Sequence, residues 1–176
     1  MSADVQIRRW TGSTPNKTDI TDGNTRLSAT DAVSPGTDHP VRVPESGTNY
    51  SYWATFGLYA ETAPGNEINN IKFYTDGSND LGIGIDLNVA TATDYVQATG
   101  TEGETGDELN TTNHENLNDN PSNAFNYTSS SPLSVNGSTS STGDFGDLVV
   151  AQVAVGTDAG SGASGSESMT FSYDEL

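Results

Sequence analysis

Apolar residues along this chain recur at every second position in short runs, which is the period of a half-buried strand. The clearest run is Ile83, Ile85, Leu87 and Val89, alternating strictly with Gly84, Asp86 and Asn88. In Tyr50–Ala60 the even positions Tyr50, Tyr52, Ala54, Phe56 and Leu58 share one face while Trp53 and Tyr59 lie on the other, so this strand is expected to be covered on both sides or to use its second face as a contact surface. Ile68–Thr75 places Ile71 and Phe73 on one face with Lys72 and Tyr74 opposite, and Tyr95–Ala98 reads as a further short strand. Asp147–Val155 is apolar on both faces, the pattern of a central strand. Met169, Phe171 and Tyr173 alternate with Ser and Thr in the last one. No segment shows the 3.6-residue period of an amphipathic helix.

Polar segments set the organisation. Residues 1–45 read as an N-terminal arm: Val5, Ile7 and Trp10 suffice for one short strand, Thr11–Pro40 is dense in turn residues, and Val41–Val43 makes a second strand at an edge. Residues 46–176 then form the main domain. Within it the alternation nearly vanishes over 100–143, a long polar loop anchored only by Leu109, Leu117, Phe125, Tyr127, Leu133 and Val135. Gly156–Ser166 is a flexible connection to the last strand. The expected fold is all-β, an antiparallel β-sandwich or jelly roll of about seven or eight strands with an extended arm and long polar loops.

Composition changes this picture in one respect. Only 32% of the 176 residues are apolar, and 24 carboxylates face six basic residues, for a formal charge of −18. The cations are Arg8, Arg9, Lys17, Arg26, Arg42 and Lys72, and none follows Lys72. Such a surface repels nucleic acid and anionic membranes, because phosphate neutralisation needs cations. Lysine scarcity along the whole chain fits a saline milieu, where screening relieves self-repulsion; an acidic face for a basic partner is the alternative. With no cysteine there is neither a disulfide framework nor a thiolate metal site. The start of the chain lacks an apolar run of signal-peptide length, so assembly in the cytoplasm is expected.

Candidate chemistry is sparse, and no catalytic, cofactor-binding or metal-ligating residue is assigned. His39 and His114 lie beside no recognisable nucleophile and read as solvated loop histidines. Asp76–Asp80 resembles the start of an EF-hand loop, yet Gly82 falls one place late and Leu87 holds the position that a closing Glu would need. Ordinary turn chemistry is the expectation there. Gly82-Ile83-Gly84 has neither a helix nor a lysine behind it for a phosphate. Among 24 acids, some pair meets the spacing of glycosidase carboxylates by chance. Five Asn-X-Ser/Thr sequons, at Asn16, Asn49, Asn110, Asn126 and Asn136, are about what this content of Asn, Ser and Thr produces at random. Trp53, Tyr59 and Tyr74 point off the presumed core face and offer a sugar-stacking platform, with packing against a second sheet or a neighbouring subunit as the simpler use.

The stretch Asn69–Gly77 followed by Leu81-Gly82-Ile83-Gly84, together with the ending Thr170–Leu176, resembles β-rich virion structural proteins of tailed viruses. The resemblance spans roughly residues 40–100 and the last ten. It implies a non-enzymatic virion protein without cofactor, on the capsid surface as a decoration or turret. A place in the tail or neck is one alternative, and a carbohydrate-binding or adhesion module is another. Implied partners are copies of the chain in a symmetric homo-oligomer and the major capsid or tail proteins, with no nucleic acid and no membrane. In that setting Arg8, Arg9 and Arg26 of the arm are expected to meet the acidic face of an adjacent copy.

Overall fold

The computed structural model describes residues 2–176 and is essentially all-β. In chain order the strands are β1 (Asp4–Thr11), β2 (Asn16–Asp19), β3 (Asn49–Tyr50), β4 (Ala54–Thr62), β5 (Ile68–Tyr74), β6 (Ile85–Ala92), β7 (Gly100–Thr101), β8 (Thr105–Gly106), β9 (Ser122–Asn123), β10 (Leu133–Ser134), β11 (Gly143–Val155) and β12 (Thr170–Glu175). One 3₁₀ turn, Ala124–Asn126, is the only helical element among the described residues. All strand pairings are antiparallel, in a nine-stranded and a three-stranded sheet.

The 13-residue β11 is the spine of the larger sheet. Along one edge it meets β4 and then β3, which follow one another with a break at Ser51–Trp53. Along the other it pairs with β6 over eight positions, Leu148↔Ala92 to Val155↔Ile85. The central position expected for Asp147–Val155 is therefore observed, and the cause is its two apolar faces. Val149, Ala151, Val153 and Val155 face a core shared with Phe56, Leu58, Leu87 and Val89 and with Ile68, Ile71 and Phe73 of β5. The order β10-β5-β12 forms the smaller sheet, and its Phe73 and Phe171 rings meet edge-on with centroids 5.4 Å apart.

The opposite face of β11 carries Leu148 and Val150, which join Tyr52, Trp53, Ala92, Ala98 and Leu109 in a second cluster. Residues 93–118, most of them without regular strand, cover this face. The Tyr50–Ala60 segment is covered on both sides, one cover being loop, but the break at Ser51–Trp53 turns Tyr50 and Tyr52 to this second side, so they do not share the expected face with Ala54, Phe56 and Leu58. Within the segment expected to be a long loop, residues 100–143, lie β7 to β10 and the 3₁₀ turn. Of the six apolar anchors expected there, Leu109 and Val135 are buried and the other four are partly buried.

Residues 1–45 differ from expectation. β1 is not an arm: it pairs with β4 from Val5↔Ala60 to Trp10↔Thr55, and β2 folds back onto it. Val5, Ile7, Ile20, Leu27 and Val41 pack against the main core, enough apolar surface to bind the segment down. Val41–Val43 forms no strand; Pro40 and Pro44 on either side lack the N–H that a ladder needs. Tyr95–Ala98 forms none either, because it crosses the sheet face and its groups serve other partners: the Val96 carbonyl accepts from the Trp53 indole at 2.9 Å, and the Tyr95 hydroxyl donates to the Gly12 carbonyl at 3.1 Å. The alternating run loses its first member too. Ile83 is 81% exposed, since Gly82 and Gly84 take positive φ (118° and 71°) and break the extended backbone ahead of β6.

Candidate binding groove

The second face of the larger sheet is only partly covered. Where residues 93–118 end, a groove of about 640 Å³ opens over β3, β11 and β6. Its floor follows from register. Ala154 lies directly opposite Tyr50 on one side and Asp86 on the other, so the three side chains form one row across three adjacent strands. With strands about 4.8 Å apart, Tyr50 and Asp86 stand about 10 Å from each other across a floor of one methyl group. The next row pairs Gln152 with Asn88. Beyond Ala154 the floor continues in backbone: the Gly156 N–H donates to the Gly84 carbonyl at 2.8 Å. A Cβ on Gly84 would lie 2.5 Å from the Ala159 nitrogen, so no other residue lets the two segments approach there. This contact sets Asp158 at the end of the groove.

The walls have different origins. Asp86 and Asn88 are the polar half of the β6 alternation, whose apolar half, Leu87 and Val89, fills the core. Glu108 and Asn110 come from the loop layer and are held by one buried side chain. Gln152 is 1% exposed; its Nε2 donates to the carbonyls of Ser51 (2.8 Å) and Asp107 (2.7 Å), and its Oε1 accepts from the Leu109 N–H at 2.7 Å. The Asn110 Oδ1 in turn accepts from the N–H groups of Thr112 and Asn113, which directs its Nδ2 to Glu108 at 3.3 Å. Burial and the neighbouring Glu108 carboxylate push the Tyr50 phenol above its ordinary pKa, so it remains an O–H donor. No histidine, lysine or arginine lines the groove among the described residues. Its chemistry is therefore hydrogen bonding by carboxylates, carboxamides, a phenol and the Thr48 hydroxyl.

No family model matches this chain, and no curated protein or solved structure matches it either.

The residues singled out in the sequence fall elsewhere. Trp53 is buried, with its indole N–H engaged and its ring 5.6 Å from that of His114, so it offers no stacking surface to a sugar. Tyr59 is occupied by the Arg8 guanidinium, 3.3 Å above its ring, and Tyr74 belongs to the smaller sheet. The three therefore make no common platform. His114 is not solvated: it is fully buried, neither ring nitrogen has a partner among the described residues, and burial pulls its pKa below the usual histidine value. His39 is half-exposed, 3.8 Å from Glu102. Asp76–Asp80 is a turn in which the Asp76 carboxylate accepts from the Ser78 N–H at 2.8 Å. No group of three or more metal-ligating side chains gathers among the described residues.

Most of the cations are engaged by groups of the chain itself. Arg8 is 3.6 Å from Glu61, Arg42 is 3.7 Å from Glu104, and Lys17 is 2.7 Å from Asp144 with its ammonium 3.8 Å over the Trp10 ring. Arg9 is fully buried, and its Nη1 donates to the Thr25 hydroxyl and to the carbonyls of Arg26 and Val33. Burial lowers its pKa to about 10, against the opposing effect of Asp31. Arg9 thus fastens residues 25–33 onto β1 and cannot meet an adjacent copy; Arg26 alone of the three arginines named for that role is exposed.

Missing from the sequence reading was the groove itself. Its only signal there was the polar half of the β6 alternation, Asp86 and Asn88; the opposing wall depends on loop placement that no period encodes.

Proposed function

We propose that this chain is a non-enzymatic virion structural protein of a tailed virus, a β-sandwich that sits on the capsid surface as a decoration or turret and acts through contacts. The observation that supports this reading is a large antiparallel sheet with an apolar cluster on each face and one remaining open groove lined by hydrogen-bonding side chains. The sequence resemblance points the same way, and the formal charge of −18 suits a particle released into brine. In this reading the partners are further copies of the chain and the capsid or tail proteins, without nucleic acid or membrane. Docking falls to the framed sheets and loops, since the first strand is built into the fold.

Light scattering at low and molar salt, with co-sedimentation on isolated particles, tests the proposal. A discrete oligomer strengthened by salt, or a monomer that binds a preformed shell, is the expected result. A monomer that binds no particle at any salt contradicts it. A second reading, a carbohydrate-binding or adhesion module, is favoured by the groove and not by Trp53 or Tyr74.

A further inference from the structure

The geometry points to the groove over β3, β11 and β6 as a binding site for a neutral, linear oligosaccharide; this inference rests on the reading of the chain as a surface protein that works through contacts. The volume of about 640 Å³ lies within the range of small-ligand sites. The Ala154 methyl between Tyr50 and Asp86 leaves a flat floor one strand wide, bounded by a phenol on one side and a carboxylate on the other. Sugar hydroxyls are donors and acceptors on adjacent carbons. They are met by carboxylates, which accept, and by carboxamides, which do both.

Hydrogen-bonding capacity is available where such a ligand would lie. The side chains of Asp86, Asn88, Asn120 and Asp158 line the groove and make no hydrogen bond to other described residues. Each is therefore free to exchange water for ligand hydroxyls without breaking an internal contact.

Charge decides between ligand classes. Carboxylates cover the whole molecule, so Asp86, Glu108 and Asp158 do not distinguish this place for a basic peptide. What distinguishes it is the set of three asparagines, Asn88, Asn110 and Asn120, beside Tyr50 on a floor that includes Ala154. The same carboxylates repel sialylated, uronic or sulfated chains. A neutral saccharide fits both conditions.

The test is calorimetric titration of the full chain in molar NaCl with cellohexaose, maltohexaose and mannohexaose, and with hexalysine as the basic-peptide probe. Saturable binding of at least one hexasaccharide is expected, weakened about tenfold or more in Asn88→Ala and in Asn120→Ala. Ala154→Phe, which fills the floor, should abolish it. Because Ala154 lies on the central strand, only the two asparagine variants are decisive if that protein fails to fold. Absence of binding to all three sugars, binding of hexalysine alone, or affinity unchanged in both asparagine variants each overturns the inference. Co-sedimentation with particles separates the two levels: a protein that joins particles yet binds no sugar sinks the groove assignment alone, whereas one that joins none sinks the surface-protein reading whatever the groove binds.

Discussion

Replacing Gln152 by Leu removes the peg between the loop layer and the sheet while nearly preserving side-chain volume. Three hydrogen bonds go at once, to the Ser51 and Asp107 carbonyls and from the Leu109 N–H. Each contributes about 1 kcal/mol net, and more where the abandoned partner stays dry, so a loss of about 3 kcal/mol is expected. That is a large share of the roughly 5–15 kcal/mol by which domains are stable. Urea unfolding in 1 M NaCl measures the loss, and hydrogen exchange at the Leu109 amide locates it. A loss below about 1 kcal/mol with Leu109 still protected would refute the assignment of the peg. Gln152→Glu adds a test of sign. An ionised carboxylate would face two carbonyl oxygens, so its folded-state pKa must rise above the unfolded value of about 4.3. Relative to wild type, this variant should be most stable below that pH and should lose stability as pH rises through the folded pKa.

The buried His114 gives the opposite dependence: with its pKa lowered by burial, the unfolded chain takes up the proton first, and stability falls as pH drops below about 6.5. His114→Phe should flatten the urea midpoint between pH 7 and 5, and an unchanged slope would exclude the imidazole as its source. Arg9→Met gives up bonds to Arg26 and Val33 but also relieves a desolvated guanidinium whose Nε and Nη2 lack partners among the described residues. Global stability should then move by less than about 1 kcal/mol, while thermolysin cleaves residues 20–40 faster; a loss above about 3 kcal/mol would show that the charge is better satisfied than the geometry indicates. Raising NaCl from 0.1 to 1 M shortens the Debye length from about 10 to about 3 Å, so Tm should climb by several degrees, and a flat or falling Tm would show that self-repulsion is unimportant. Arg8→Ala, which removes a part-exposed ion pair to Glu61 and the contact with Tyr59, should cost no more than about 1 kcal/mol in the same urea assay.

Strands with one-sided or two-sided apolar patterns were readable because burial imposes a period on them: β5, most of β6 and β11 lie where alternation placed them. Ile83 shows the limit of period alone, since two glycines in positive φ outweighed a matching alternation. β1 was found as a strand but detached from the sheet, because its pairing with β4 joins residues about fifty positions apart and leaves no local mark. His114 gave no signal either. It sits between Asn113 and Glu115 and is buried by the approach of Trp53 from the distant break between β3 and β4, a tertiary effect that overrides local polarity. Half of the groove shared that fate.

The two walls of the groove differ in what they are made to do. Asp86 and Asn88 stand on a strand whose other face is core, and any change of register there would expose Leu87 and Val89. Glu108 and Asn110 stand on a layer pinned at a few anchors: Ala98, Leu109, the buried His114 and the bonds to Gln152. Between those pins the sequence carries little of the folding free energy, and substitutions there are nearly neutral for the framework. Divergence among descendants of this chain should therefore gather on one wall, while the strands beneath stay as they are.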